Sequence, residues 1–238
     1  MIPSEPLLSP NDAHVLSTLF NPESPPSTTV KVDPSLPPLP HLTTDELSAL
    51  QSATRAAIAP LAVPQPAKPA IAAAIAALTA LITAHPTYAP AYTNRAQAAR
   101  LAIDDAQLFA PAHAAELEAI LADLARAVEL ATPLPSGSAV SPAQANLLAT
   151  AHAHRAYLYL RGSKAAAAAV SGSGLLETGP VGLRGLSRER LEEMASMEFE
   201  AAGRFGDRLA REMAVRTNPY AKMCGAIVRG ALREEQEG

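Results

Sequence analysis

The chain has 238 residues, 48% of them hydrophobic and 18% charged, with a mean hydropathy of +0.08 and a net charge of −4. That balance excludes global disorder, and the length allows one or two domains with a buried core. No part is basic enough to form a nucleic-acid surface. Fifty-two alanines, set against 4% aromatic residues and no tryptophan, point to an all-α fold. Strands draw on β-branched and aromatic residues, which are scarce, whereas short side chains suit helices packed at close range. A single cysteine, Cys224, excludes an internal disulfide and fits a reducing compartment. The start "MIPSEPLL" lacks the basic region and apolar stretch of a secretory leader. The longest apolar run, residues 70–84, has 15 residues and is too short to span a bilayer. These features predict a cytoplasmic protein, with the nucleus left open.

In chain order, Ser9 and Pro10 open a short helix over 9–20 whose Val15, Leu16, Leu19 and Phe20 share a stripe. Residues 21–42 are rich in proline and read as an extended arm, so 1–43 form one N-terminal unit. Thr43 and Glu46 make a capping box that starts a helix running to about 59. A second helix covers 69–84 and stops before Pro86; Pro90 starts a third, "AYTNRAQAARLA". A fourth spans about 113–131. Ser141 and Gln144 form another capping box, opening "ANLLATAHAHRAYLYL". Residues 162–186 are Gly/Ser-rich and of low complexity, and read as a mobile insertion. Ser187 caps the next helix, Gly206 ends it, and Asp207 starts one more to about 216. Asn218 and Pro219 then begin a last helix, 218–238, in which Tyr220, Met223, Cys224, Ile227, Val228 and Ala231 line one apolar face. The C-terminal quarter, 182–238, holds ten charges of each sign, so Glu192, Glu193, Glu198 and Glu200 read as an exposed ionic surface.

The helices come in pairs, which suggests internal repetition. A tetratricopeptide repeat places a large residue four before a small one in its first helix. Its second helix carries a small residue, a bulky one four later and often an exit proline. The second pair offers Tyr92 and Ala96, then Ile120, Leu124, Ala127 and Pro133; the first offers Ala74, Leu78 and Pro86; the third offers Ala156 and Tyr159, then Ala195, Phe199 and Ala202. Three degenerate repeats over 44–217 follow, with expanded turns at about 60–68, 103–112 and 162–186 that would project from one edge. Helix 218–238 would cover the final repeat.

The blocks "NDAHVLSTLFNPESP" at 11–25, "AYTNRAQAARL" at 91–101, "LADLARAVEL" at 121–130 and "NPYAKMC" at 218–224 resemble, in the same order, the tetratricopeptide repeat protein 36 family. The resemblance implies a small three-repeat solenoid acting as an adaptor without catalytic activity. It also implies binding of the chaperone Hsp70 and a link to tyrosine metabolism. The expanded turns depart from that compact family pattern.

Carboxylate clamps in such grooves use Lys and Asn on the first inner helix, Asn on the second, and Lys and Arg on the third. Here only Asn94 matches; Ala49, Ala53, Thr150 and His154 stand at other places, so an Hsp70 partner would not be held through an intact clamp. The expected groove lining is Thr93, Asn94, Gln97 and Arg100 with Thr150, His154, Tyr157 and Arg161. Two arginines and an aromatic suit an acidic or extended peptide. The plainer account is two solvated helix faces, with Arg95 paired to Asp104 or Asp105. A further alternative is a structural protein whose groove holds its own 21–42 arm. His152 and His154 lie about 200° apart round a helix, and no His/Cys set has zinc spacing, so no metal or cofactor is expected. Cys224 reads as a buried filler on the cap, and no nucleophile elbow or phosphate loop supports an enzyme.

Overall fold

The computed structural model describes residues 30–135 and 137–219. The anticipated helix 9–20, together with Tyr220, Cys224 and the rest of the terminal cap, lies outside the described residues. Within them the chain is all-α: α1 Thr44–Ile58, α2 Lys68–Ala84, α3 Ala89–Leu101, α4 Ala114–Ala131, α5 Pro142–Ala167, α6 Arg188–Arg204 and α7 Arg208–Thr217. Four single 3₁₀ turns and two isolated β-bridges complete the secondary structure of these residues. None of the described helices is long and apolar enough to cross a membrane.

Local chemistry sets most of the helix starts. Thr43 and Glu46 close a capping box on α1, and the Glu46 N–H donates to Thr43 Oγ1 at 3.3 Å. Ser141 and Gln144 do the same for α5, with Pro142 in the first turn where a missing N–H is harmless. Ser187 and Asp207 cap α6 and α7 through the N–H groups of Arg190 and Ala210. Asn218 ends α7 in an extended conformation, ψ 117, and its N–H donates to the Ala214 carbonyl.

Each helix packs against the next in sequence, and α1 touches α3 as α3 touches α5. Every small and bulky position singled out by the repeat pattern is buried: Ala74, Leu78, Tyr92, Ala96, Ile120, Leu124, Ala127, Ala156, Tyr159, Ala195, Phe199 and Ala202. The alanines bring neighbouring helices close, and each fully buried leucine adds about 1.5–3 kcal/mol by leaving water. Arg95 ties three helices together. Its Nε and Nη2 donate to both oxygens of Asp123 on α4, at 2.8 and 2.6 Å, and Nη1 donates to Thr79 on α2. The expected partner of Arg95, Asp104 or Asp105, is therefore replaced by a residue 28 positions on.

The Gly/Ser-rich stretch 162–186 does not form one loose insertion. Helix α5 continues through it to Ala167, burying Gly162, Ser163 and Ala166. Beyond, Leu176 and Leu183 enter the main core, and Leu176 exchanges backbone bonds with Gly185 and Leu186. This loop meets the α3–α4 loop over Phe109: Thr178 Oγ1 donates to the Phe109 carbonyl at 2.6 Å. A Cβ on Gly162 or Gly179 would stand 3.0 or 2.8 Å from the Phe109 ring, so both glycines leave room for it.

The arm is also fitted to the helices. Val32 bridges in parallel to Val140, Val30 N–H donates to the Arg204 carbonyl, and Ser141 Oγ donates to the Pro38 carbonyl at 2.6 Å. Leu39 belongs to a second apolar cluster with Leu47, Leu50, Tyr88 and Leu148.

Candidate functional site

The polar stripe of α3 lies beside that of α5 because the two helices are in contact. Arg100 is in the last turn of α3, and Tyr157 and Arg161 follow one another at i and i+4 on α5. These three side chains converge on Asp105, in the loop after α3. Tyr157 Oη donates to both carboxylate oxygens of Asp105 at 2.9 Å. Arg100 forms an ion pair with the same carboxylate, and Arg161 Nη2 donates to the Asp105 backbone carbonyl at 2.7 Å. Arg100 also donates from Nη1 to the Ile103 carbonyl, and its guanidinium lies over the Tyr157 ring, 5.8 Å from the centroid.

His154 sits against this group. Burial, and secondarily the positive charge of Arg100, holds its imidazole down to a pKa of about 4. The imidazole is thus neutral at physiological pH. The residue is half-buried, and Nδ1 is fully shielded with no hydrogen-bond partner; Arg100 Nε and Thr93 Oγ1 share that condition.

The other residues expected to line a groove behave differently. Asn94 Nδ2 donates to the Pro90 carbonyl at 2.7 Å, so the amide is turned back on its own helix. Gln97 is exposed. Thr150 Oγ1 donates to the Asn146 carbonyl, and the residue lines an open cavity of about 390 Å³. Ala145, Asn146 and Ala149 of α5, Val32 of the arm and Phe205–Asp207 also line that cavity. His152 helps to fix this wall: its ring stacks on Phe205 with centroids 6.0 Å apart, and its Nδ1 pairs with Glu198 at 2.7 Å. Arg155 takes the other Glu198 oxygen at 3.0 Å. Glu198 is therefore an inter-helix partner, and Glu192 is buried beside Arg188; both depart from the exposed ionic face expected of them. Glu193 and Glu200 pair with Arg190 and Arg204 on the outside.

Asp105 and the cavity wall escaped sequence reasoning in these roles. An Arg–Tyr–Arg set with Arg100 on one helix and Tyr157 and Arg161 four residues apart on another carries no sign of which loop will fold over it. Among the described residues no group of three or more His, Cys, Asp or Glu is placed to hold a metal ion.

No family model matches the chain, and no solved structure does either. The sequence is similar to the L-tyrosine degradation gene cluster protein hmgX of Aspergillus fumigatus. The two are 42% identical over 248 residues, an alignment covering 99% of this chain and 96% of that protein. Such identity across nearly the whole of both chains spans the arm, the three helix pairs and both packed loops, and the chain belongs to the hmgX family.

Proposed function

We propose that the chain is a non-catalytic, cytoplasmic adaptor of the tetratricopeptide type that serves L-tyrosine degradation by holding a protein partner. The observation that carries this reading is the packing of α1, α3 and α5 side by side, which sets the polar stripes of α3 and α5 next to each other. Burial of the repeat-pattern positions supports the tetratricopeptide assignment, and so does the resemblance to the tetratricopeptide repeat protein 36 family. The related hmgX protein is named for a tyrosine degradation gene cluster, which supports the metabolic setting. The resemblance makes an Hsp70-type chaperone one partner class. Asn94, the one residue shared with a carboxylate clamp, is spent on Pro90, so that partner would be held by other contacts.

Deleting the gene tests the proposal. The strain should fail to grow on L-tyrosine as sole carbon source while growing normally on glucose. Growth should return with the wild-type gene and not with Arg100→Glu/Arg161→Glu; unimpaired growth of the deletion strain on tyrosine refutes the metabolic assignment. A second reading, in which the arm occupies the groove for a purely structural purpose, is favoured by Val32 forming a wall of the cavity. Removing residues 1–42 should then lower the melting temperature, and an unchanged value rules that reading out.

A further inference from the structure

Arg100, Tyr157 and Arg161 are the groove's cationic and aromatic residues, and all three are engaged by one turn of the chain's own α3–α4 loop. That turn offers them a carboxylate and two main-chain carbonyls, those of Ile103 and Asp105. An acidic residue within an extended peptide presents the same set: one carboxylate flanked by peptide oxygens. The cluster thus has the composition of a peptide-binding site with its occupant supplied in cis.

The occupant is weakly held by the rest of the fold. The Asp105 side chain is 55% exposed, against 15% for the Arg100 side chain beneath it. Its neighbours Asp104, Ala106 and Gln107 are exposed as well. The loop is anchored by Ile103, Leu108 and Phe109, which are buried, and Asp105 itself contributes no apolar contact to that core. The turn that carries it is a single 3₁₀ segment of three residues, Asp105–Gln107. Arg100 itself is not saturated by Asp105: its Nε is shielded and has no hydrogen-bond partner.

We propose that Asp105 is a built-in stand-in for an acidic peptide, and that a glutamate or aspartate in an extended segment of the partner displaces it from Arg100, Tyr157 and Arg161. This rests on the adaptor reading and names the chemistry of the partner segment. It also makes binding conditional, because partner and loop compete for one site, and apparent affinity falls with the fraction of molecules in which the site is open.

The test uses the full chain and a fluorescein-labelled ten-residue poly-L-glutamate, with poly-L-glutamine as the uncharged control, followed by fluorescence anisotropy. Asp105→Asn should bind poly-L-glutamate roughly tenfold more tightly than the wild type. Adding Arg100→Gln or Arg161→Gln should remove the gain, and poly-L-glutamine should not bind. Asp104→Asn makes the same change in net charge one residue away and should leave the affinity where it was. Equal tightening by Asp104→Asn, or no tightening by Asp105→Asn, overturns the proposal. Loss of the folded helical signal in Asp105→Asn overturns it too, since a contact the fold requires cannot be displaced. Failure of the adaptor reading would show separately, as normal growth on tyrosine without the gene whatever the peptide affinities.

Discussion

Replacing His154 with glutamine should remove a defined part of the protein's acid sensitivity. The imidazole ionises near pH 6.5 in an unfolded chain and only at about 4 when folded, because it is buried and faces Arg100. Its folded form therefore binds fewer protons than the unfolded form in that window. The stability due to the neutral ring is complete above pH 6.5, declines as pH falls, and is lost once pH has dropped through about 4. At about 1.4 kcal/mol per pH unit across that window, the loss totals about 3 kcal/mol. Asp33 and Glu46 also have lowered carboxyl pKa values, set chiefly by the hydroxyls of Ser35 and Thr43, and their contributions fade at still lower pH. Those contributions are common to wild type and variant and cancel in the comparison. Urea unfolding of both proteins at pH 7.5, 6.5, 5.5 and 4.5 supplies the difference curve. The wild type should lose about 2–3 kcal/mol relative to His154→Gln between the first and last of these. Parallel pH profiles would refute the assignment of a shielded, neutral imidazole at the α3–α5 seam.

Three further outcomes follow from the packing. Asp123→Ala leaves the Arg95 guanidinium without its bidentate partner at a seam only 12–24% exposed, and chemical denaturation should report a loss of about 2–3 kcal/mol. Arg95→Met in the same protein should restore part of it. Gly179→Ala combines a φ of +108 with a Cβ 2.8 Å from the Phe109 ring and should cost about 2–3 kcal/mol, whereas Gly172→Ala, at φ +69 with open space around it, should cost about 1 kcal/mol. Hydrogen exchange in Gly179→Ala should accelerate at 175–187 before it does in α1 and α2. Ser141→Ala removes both the α5 cap and the bond to the Pro38 carbonyl, and should lower stability by about 1–2 kcal/mol while exposing residues 30–41 to protease.

Helix starts were legible because capping is short-range. Thr43 with Glu46, Ser141 with Gln144, Ser187 and Asp207 announce their helices within four residues, and the structure uses each of them. The buried positions were legible because helical spacing and residue size act together, as at Tyr92 and Ala96 or Leu124 and Ala127. The run beginning Gly162-Ser163 was misread for an equally physical reason: glycine and serine signal a linker when their surroundings are unknown. Here the helix carries glycine at 162 because the Phe109 ring occupies the space a side chain would fill. Ion pairs across the fold were the least legible. Arg95 and Arg100 are five residues apart and so point in different directions; one reaches Asp123 and the other Asp105, a choice made by helix packing rather than by sequence proximity. Of the residues expected to line a groove, Arg100, Tyr157 and Arg161 meet at Asp105 while Asn94 and Thr150 turn back on their own helices, and the placement of that loop carboxylate was not legible.

The arm carries a consequence for how the molecule is made. Val30 bonds to the Arg204 carbonyl, 174 positions later in the chain, and Val32 to the residues around Val140. During synthesis the arm precedes all of its partners: the seat at Val140 and Ser141 is made just before and at the start of α5, and the Arg204 carbonyl only at the end of α6. Proline at 34, 37, 38 and 40 removes backbone donors that could pair with stray strands and fixes φ along the arm. The segment 30–41 thus fastens the first helix, the start of α5 and the end of α6 to one another, and its Val30 contact is made only once α6 has been synthesised.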